Sequence, residues 1–362
     1  MKTSHHGGQG DGASLKAPFP YFGGKSTVAD IIWKALGQPA HYMEPFFGSG
    51  AVLLLRPDYD PSSMTETICD KDGFIANVWR AIQYHPEETA YWCDWPVNHA
   101  DLIARRKVLI ANETMLLENL CKDDMWCDCK LAGYWIWAAS CWIGSGLTSP
   151  NSRPHISSTG SGVHAKGQIP YIGSTGIGVH AKGQRPHIGS TGCGVHAKGQ
   201  IPYLAGTGRG VRKLSARNDN LYDWFTALSA RLRYVRVVCG DWSRVCGGNW
   251  QDNIGDVGIF FDPPYGVSDR DTSIYHHDSI FIAADVCKWA LARGDKPSYR
   301  IVIAGYDEHV ELLEHGWTSQ AWKAHGGYSN RGGDNQNCHR ETLYFSPHCL
   351  RGNDLKQEEL NL

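Results

Sequence analysis

Val257-Gly258-Ile259-Phe260-Phe261-Asp262-Pro263-Pro264-Tyr265 is the stretch on which the reading of this chain turns. An apolar run closed by an acid and two prolines predicts a buried strand that stops abruptly, because proline fixes its own φ and has no N–H to continue a ladder. The stop leaves a carboxylate, a carbonyl of fixed direction and an aromatic face at the strand's carboxyl end. In open α/β sheets ligands bind in the crevice outside those ends, so position and residue types both suit chemistry. The plainer alternative is a strand followed by a Pro-Pro turn with a surface tyrosine.

Two further strand ends argue for chemistry. Glu44-Pro45-Phe46-Phe47-Gly48-Ser49-Gly50 follows Ala40-His41-Tyr42-Met43 and precedes the helix-like Ala51-Val52-Leu53-Leu54-Leu55. Glycines at 48 and 50 permit a tight strand-to-helix turn whose backbone approaches a ligand closely, with helix N-terminal amides facing it. A second strand, Thr65-Glu66-Thr67-Ile68-Cys69, ends at Asp70, about where a ribose-binding acid is expected in a doubly wound nucleotide fold. An acid after a strand also serves commonly as a helix cap, which is the plain alternative for Asp70 and for Asp241.

At this point the chain resembles the Dam-type DNA adenine N6-methyltransferases, especially those carried by phages and prophages. The resemblance rests on Pro20-Tyr21-Phe22-Gly23-Gly24-Lys25, Glu44 to Gly50, Asp70-Lys71-Asp72-Gly73-Phe74 and onward to Arg80, Cys239-Gly240-Asp241-Trp242, Asp262 to Tyr265, and Arg340 to Pro347, in that order. It implies an α/β fold, a doubly wound and mostly parallel S-adenosylmethionine-dependent methyltransferase sheet with an inserted target-recognition region. It implies further that S-adenosyl-L-methionine is the methyl donor and double-stranded DNA the partner. Asp262 and the Pro263 carbonyl would accept from the target amine, with Pro264 completing the turn and Tyr265 stacking on an adenine flipped out of the duplex. Tyr21, Gly24 and Lys25 would line the methionine end of the donor, and Glu44, Phe46, Gly48 and Gly50 the loop beneath it. Asp70 would take its ribose hydroxyls and Asp241 its adenine amino group.

The residue types fit that chemistry. An exocyclic adenine amine is a poor nucleophile, since its lone pair is delocalised into the ring, and acceptors on its hydrogens favour a more pyramidal nitrogen. The same logic holds for an N4-cytosine methyltransferase, although those enzymes more often carry Ser where this chain has Asp262. Enzymes acting on a protein glutamine amide more often carry Asn there. A DNA-binding decoy that has lost catalysis is the non-enzymatic alternative, and the intact motifs argue against it. Methyl transfer requires no metal, and none is assigned. Cys121, Cys127 and Cys129 have ligand-like spacing but lack a nearby fourth ligand in sequence.

Composition sets bounds around this reading. With 362 residues and 42% hydrophobic content, the chain can bury one large core or a core plus a smaller module. No secretory signal or membrane-length apolar run is legible, so a cytoplasmic protein with free thiols is expected despite 12 cysteines. The net charge of −2 is unevenly placed: residues 151–217 carry nine Lys and Arg and no Asp or Glu. A basic segment in an otherwise acidic protein suits a localised polyanion contact, the alternative being a solvated Gly/Ser-rich linker.

That segment contains a sixteen-residue repeat beginning at Pro154, Pro170, Pro186 and Pro202. Units two and three offer Pro-aromatic-Ile, a Gly-Ser-Thr-Gly turn and Val-His-Ala-Lys-Gly, the first differs by Ser157 in the turn and the fourth decays, a pattern that predicts short extended pieces joined by glycine turns. Lys166, Lys182 and Lys198 recur in phase and, with Arg212, are the candidate DNA contacts. Replacing the three lysines with Gln is expected to weaken DNA binding across all sequences. It should also flatten the salt dependence by a slope of about one per lost phosphate contact, read by salt titration of affinity.

The expected organisation is a disordered segment 1–13, a discontinuous catalytic domain over 14–84 and 218–350, an inserted region over 85–217 with the repeats at 154–217, and a tail at 351–362. Helices are expected over Asp101 to Asn119, Leu131 to Ile143 and Leu221 to Leu232, with Trp135, Trp137 and Trp142 read as core. Strands are expected over Tyr234 to Val238, Val257 to Phe261, Arg300 to Ala304 and Thr342 to Phe345.

Overall fold

The structure is a computed structural model, and it describes residues 15–21, 24–123, 125–142, 146–148, 155–156, 163–164, 219–264, 282–306, 309–322 and 341–351. Tyr265, Lys166, Lys182, Lys198, Arg212 and the segment 1–13 lie outside the described residues, as does the repeat array apart from two dipeptides. In the first repeat, His155–Ile156 pairs antiparallel with Val163–His164.

Seven strands form one sheet: β1 (His41–Glu44), β2 (Thr65–Asp70), β3 (Val235–Cys239), β4 (Val257–Phe261), β5 (Tyr299–Gly305), β6 (Thr318–Ala321) and β7 (Thr342–Phe345). Their order is β3-β2-β1-β4-β5-β7-β6. The four pairs from β3 through β5 are parallel, whereas β7 runs antiparallel to both β5 and β6. The sheet is therefore mixed and mostly parallel, and its first five positions follow the doubly wound order.

Ten helices accompany it among the described residues: α1 (Ala29–Leu36), α2 (Ala51–Leu54), α3 (Gly73–Tyr84), α4 (Pro86–Cys93), α5 (His99–Lys122), α6 (Cys129–Cys141), α7 (Asp219–Leu232), α8 (Ser243–Cys246), α9 (Ile282–Gly294) and α10 (Val310–Leu313). Successive strand residues point to opposite faces, and the core divides accordingly. Tyr42, Phe260 and Val302 pack with α1 to α7, while Met43, Ile259, Phe261, Ile301 and Ile303 pack with α8 to α10. All five residues of β4 are buried, as covering both faces of a parallel sheet demands.

Helices α4 to α6 lie within the expected insertion, yet they share one continuous core with α3 and α7. Trp135, Trp137 and Trp142 are buried in it, as read from the sequence. The helix ends follow local chemistry. Asp72 accepts from the Phe74 amide to cap α3, Asn98 caps α5 through Ala100 and Asp101, and Asp128 caps α6 through Leu131. Pro86 occupies the first turn of α4, where no N–H is needed. The ten cysteines among the described residues are all free thiols. No helix among them is long and apolar enough to cross a membrane.

Candidate active site

Strands β1 and β4 are neighbours, with Met43 opposite Ile259, and from them the chain winds outward in opposite directions. This is the topological switch point of the sheet, and the crevice at its carboxyl edge is where open α/β sheets take ligands. The loop after β1 carries Glu44 to Gly50 and the one after β4 carries Asp262 to Pro264. The two stretches read separately in sequence thus flank one crevice.

The first loop is shaped by its glycines. Gly48 has φ 48°, and a Cβ built there would lie 2.4 Å from the Cε1 atom of Tyr21. Gly50 has φ 62°, and its Cβ would meet the Phe47 ring at 2.3 Å. Side chains at either position would be strained and would expel an aromatic ring. The loop is pinned by the Phe47 amide donating to the Cys69 carbonyl (3.0 Å) and by Trp79 Nε1 donating to the Gly48 carbonyl (2.9 Å). Helix α2 behind it is a single turn, so the expected helix amide cradle shrinks to the loop's own N–H groups.

One of those groups, the Gly48 N–H, donates to Asp70 Oδ2 at 2.8 Å, and the Asp72 amide donates to Oδ1 at 2.9 Å. Asp70 stands at the end of β2 and is not the cap of α3; Asp72 takes that role. Burial, then the charge of Asp72, pushes the Asp70 carboxyl up to about 7, against the pull of the amides of Gly48, Asp72 and Lys71. Glu44 is only 2% exposed, its Oε2 accepting from the Tyr42 hydroxyl at 2.9 Å. Burial, aided by the nearby Asp262 charge, raises its carboxyl well above the usual range, which favours a neutral acid beneath the loop.

Asp262 receives Lys25. The ammonium donates to Asp262 Oδ2 at 2.9 Å, with the lysine 4% exposed and the aspartate side chain 23% exposed. The contact joins the amino-terminal Tyr21 to Lys25 segment to the end of β4, and it fixes one carboxylate oxygen. Pro263 behind it is buried. Lys25 Nζ also lies 6.0 Å from the Trp322 ring centroid, which brings the chain after β6 to the same place. Gly24 is exposed beside this pair.

Asp241, at the end of β3, accepts from the Ser243 amide and hydroxyl through Oδ1, at 3.0 and 2.6 Å. Trp242, not Asp241, occupies the N-cap of α8, so Asp241 closes a local turn through one oxygen. Asp241 also lines a cleft of about 500 Å³ with Trp242, Ile282, Lys288 and Trp289. Phe46 stacks on Trp242, ring centroids 6.5 Å apart, and so connects the loop after β1 to this cleft.

Four strand ends therefore contribute: β1 and β4 at the switch point, then β2 and β3 to one side. Sequence reasoning missed Asp72, Trp322 and Trp289. Asp72 carried a signal, an acid immediately before a helical run; the two tryptophans reach the site only through tertiary packing. The crevice thus offers a ligand a loop with no room for a Cβ at positions 48 and 50, half-buried acids on consecutive strands, and an aromatic-walled cleft beside Asp241. A scan against protein-family models finds no match to this chain, and a search of curated proteins finds no relative.

Proposed function

We propose that the protein is a site-specific DNA methyltransferase that places a methyl group on the N6 amine of an adenine flipped out of duplex DNA. The observation that carries this reading is the placement of Asp262-Pro263-Pro264 directly across the sheet's switch point from the glycine loop after β1. Bound S-adenosylmethionine would supply an electrophilic methyl on a sulfonium. Gly48, Gly50 and Phe46 would hold the donor from below, Asp70 its ribose and Asp241 its adenine.

On the acceptor side Asp262 would draw on a hydrogen of the amine, helped by the Pro263 carbonyl, whose direction the ring constrains. Lys25 holds the carboxylate in place, so orientation is prepared before the base arrives. Tyr265 would stack on the extruded base. The lysines of the repeat array and Arg212 would hold phosphates.

The experiment is methyl transfer from labelled S-adenosylmethionine to duplex DNA, followed by digestion to nucleosides. N6-methyladenine is the expected product. N4-methylcytosine would move the assignment to cytosine, and donor binding without transfer to DNA would remove the assignment to DNA.

Asp70 gives this reading a pH dependence. Only the ionised carboxylate accepts from both ribose hydroxyls, so donor affinity is expected to rise as pH passes through about 7. The folded state holds this proton more tightly than the unfolded chain, so the same ionisation costs folding stability as pH climbs from the ordinary aspartate range toward 7. Calorimetric titration of the donor at several pH values, with Asp70→Asn as reference, checks the first point: the variant should bind more weakly and with a flat profile.

A further inference from the structure

We propose that Cys287, His309 and Glu311 form a binding site for a zinc-like divalent transition-metal ion that fastens α9 to the segment following β5. None of the three is a residue of the candidate active site, although α9 also carries Ile282, Lys288 and Trp289 of the cleft. Cys287 lies in the second turn of α9 and is buried; His309 immediately precedes α10 and is buried; Glu311, in the first turn of α10, has a side chain 46% exposed. One ligand atom from each falls within 4.8 Å of the others.

The distances match a shared ion. Cys287 Sγ is 3.4 Å from His309 Nδ1, and His309 Nδ1 is 3.7 Å from Glu311 Oε1. With Zn–S about 2.3 Å and Zn–N or Zn–O about 2.0–2.2 Å, the edges of a tetrahedral site come out at roughly 3.3–3.6 Å. The donor set is a thiolate, an imidazole and a carboxylate, which suits zinc and its neighbours rather than calcium or magnesium.

The geometry also separates this cluster from a nucleophilic triad. In a triad the thiol addresses one ring nitrogen and the acid orients the ring through the other. Here thiol and carboxylate both approach Nδ1, so the three donor atoms gather at the same ring nitrogen, within 4.8 Å of one another. The ring is held in that attitude by packing: a Cβ at Gly305 would lie 2.7 Å from His309 Cδ2, and Tyr344 meets the ring edge-on with centroids 5.6 Å apart. Among the described residues the cluster offers three protein ligands, with the carboxylate reaching the surface. Binding releases the Cys287 thiol proton to water, so affinity rises with pH.

The test uses the full-length protein, stripped with a chelator and titrated with Co²⁺ alone, then with Zn²⁺ in competition. One equivalent of Co²⁺ should produce a thiolate-to-cobalt charge-transfer band and the visible bands of a tetrahedral ion, and Zn²⁺ should bleach both. Cys287→Ser should lose the charge-transfer band. Glu311→Gln, at a surface-reaching side chain, should keep that band with affinity lowered about tenfold or more. Gly305→Ala should also weaken binding while changing no ligand, because its methyl displaces the imidazole. No band in the wild type, a full band surviving in Cys287→Ser, or unchanged affinity in Glu311→Gln would each overturn the site. Should Cys287→Ser fail to fold, the Glu311 variant decides.

Discussion

Replacing Asp262 with Ala is expected to lower methyl transfer by roughly 10²–10⁴-fold while leaving S-adenosylmethionine binding largely intact, because the carboxylate addresses the target amine and not the donor. The structure adds a complication that the variant must be designed around. Asp262 is the partner of Lys25, which is nearly inaccessible, so removing the carboxylate leaves an ammonium with one acceptor fewer. That loss costs about 1–3 kcal/mol of stability, discounted toward the lower end because Asp262 reaches solvent. Asp262→Asn keeps shape and an acceptor oxygen, and should be equally inactive yet better folded. Steady-state transfer and donor titration on both variants separate the two effects. Near wild-type turnover in either one, with the donor bound normally, would remove Asp262 from the chemistry.

The double variant Lys25→Met with Asp262→Asn sharpens this. If Lys25 acts by positioning Asp262, its own substitution should cost activity in the wild-type background and little in the Asp262→Asn background, since the group it orients is already gone. Equal losses in both backgrounds would give Lys25 an independent role against donor or DNA.

How far the sequence carried depended on whether a feature was written locally. Val257 to Phe261 is legible because a strand covered on both faces must be apolar throughout, and the prolines that follow mark its end. Asp70 and Asp241 could be placed because each closes a β-rich run. Strand β6 was not legible: Thr318–Ala321 is exposed along its whole length and, among the described residues, pairs only with β7, so no apolar alternation announces it. The Lys25–Asp262 pair spans 237 positions and leaves no local trace. The same limit applies to groups of metal-ligating residue types. Close spacing drew attention to Cys121, Cys127 and Cys129, whereas the cluster the fold assembles takes Cys287 from a helix and His309 and Glu311 from beyond the next strand. The sequence reading begins the expected insertion at residue 85, between α3 and α4, and no local signal shows that α4 to α6 close over α3 and α7 in the same core.

Behind the glycine loop lies the second large effect. Glu66, fully buried in β2, takes a two-pronged contact from Arg231 (Nη1 to Oε2 at 2.6 Å, Nη2 to Oε1 at 2.9 Å) and a third from Arg56 Nη1 at 3.2 Å. The guanidiniums reach onward, Arg231 to the Leu53 carbonyl and Arg56 to the Pro39 carbonyl, so this triad ties α7, the α2 turn and the approach to β1 together. Glu66→Gln removes the only carboxylate the two arginines contact among these bonds and leaves their charges buried. The expected cost is about 3–5 kcal/mol of folding stability, read as a lowered urea midpoint. Because Leu53 closes the helical turn that follows Gly50, donor affinity should fall as well, even though Glu66 itself is fully buried beneath the crevice. Replacing Glu66, Arg56 and Arg231 together with Leu and two Met should recover most of the stability, since the desolvation penalty of all three charges disappears at once. A single Glu66→Gln variant with an unchanged midpoint would mean that water reaches the arginines, and the triad would then hold neither the fold nor the loop.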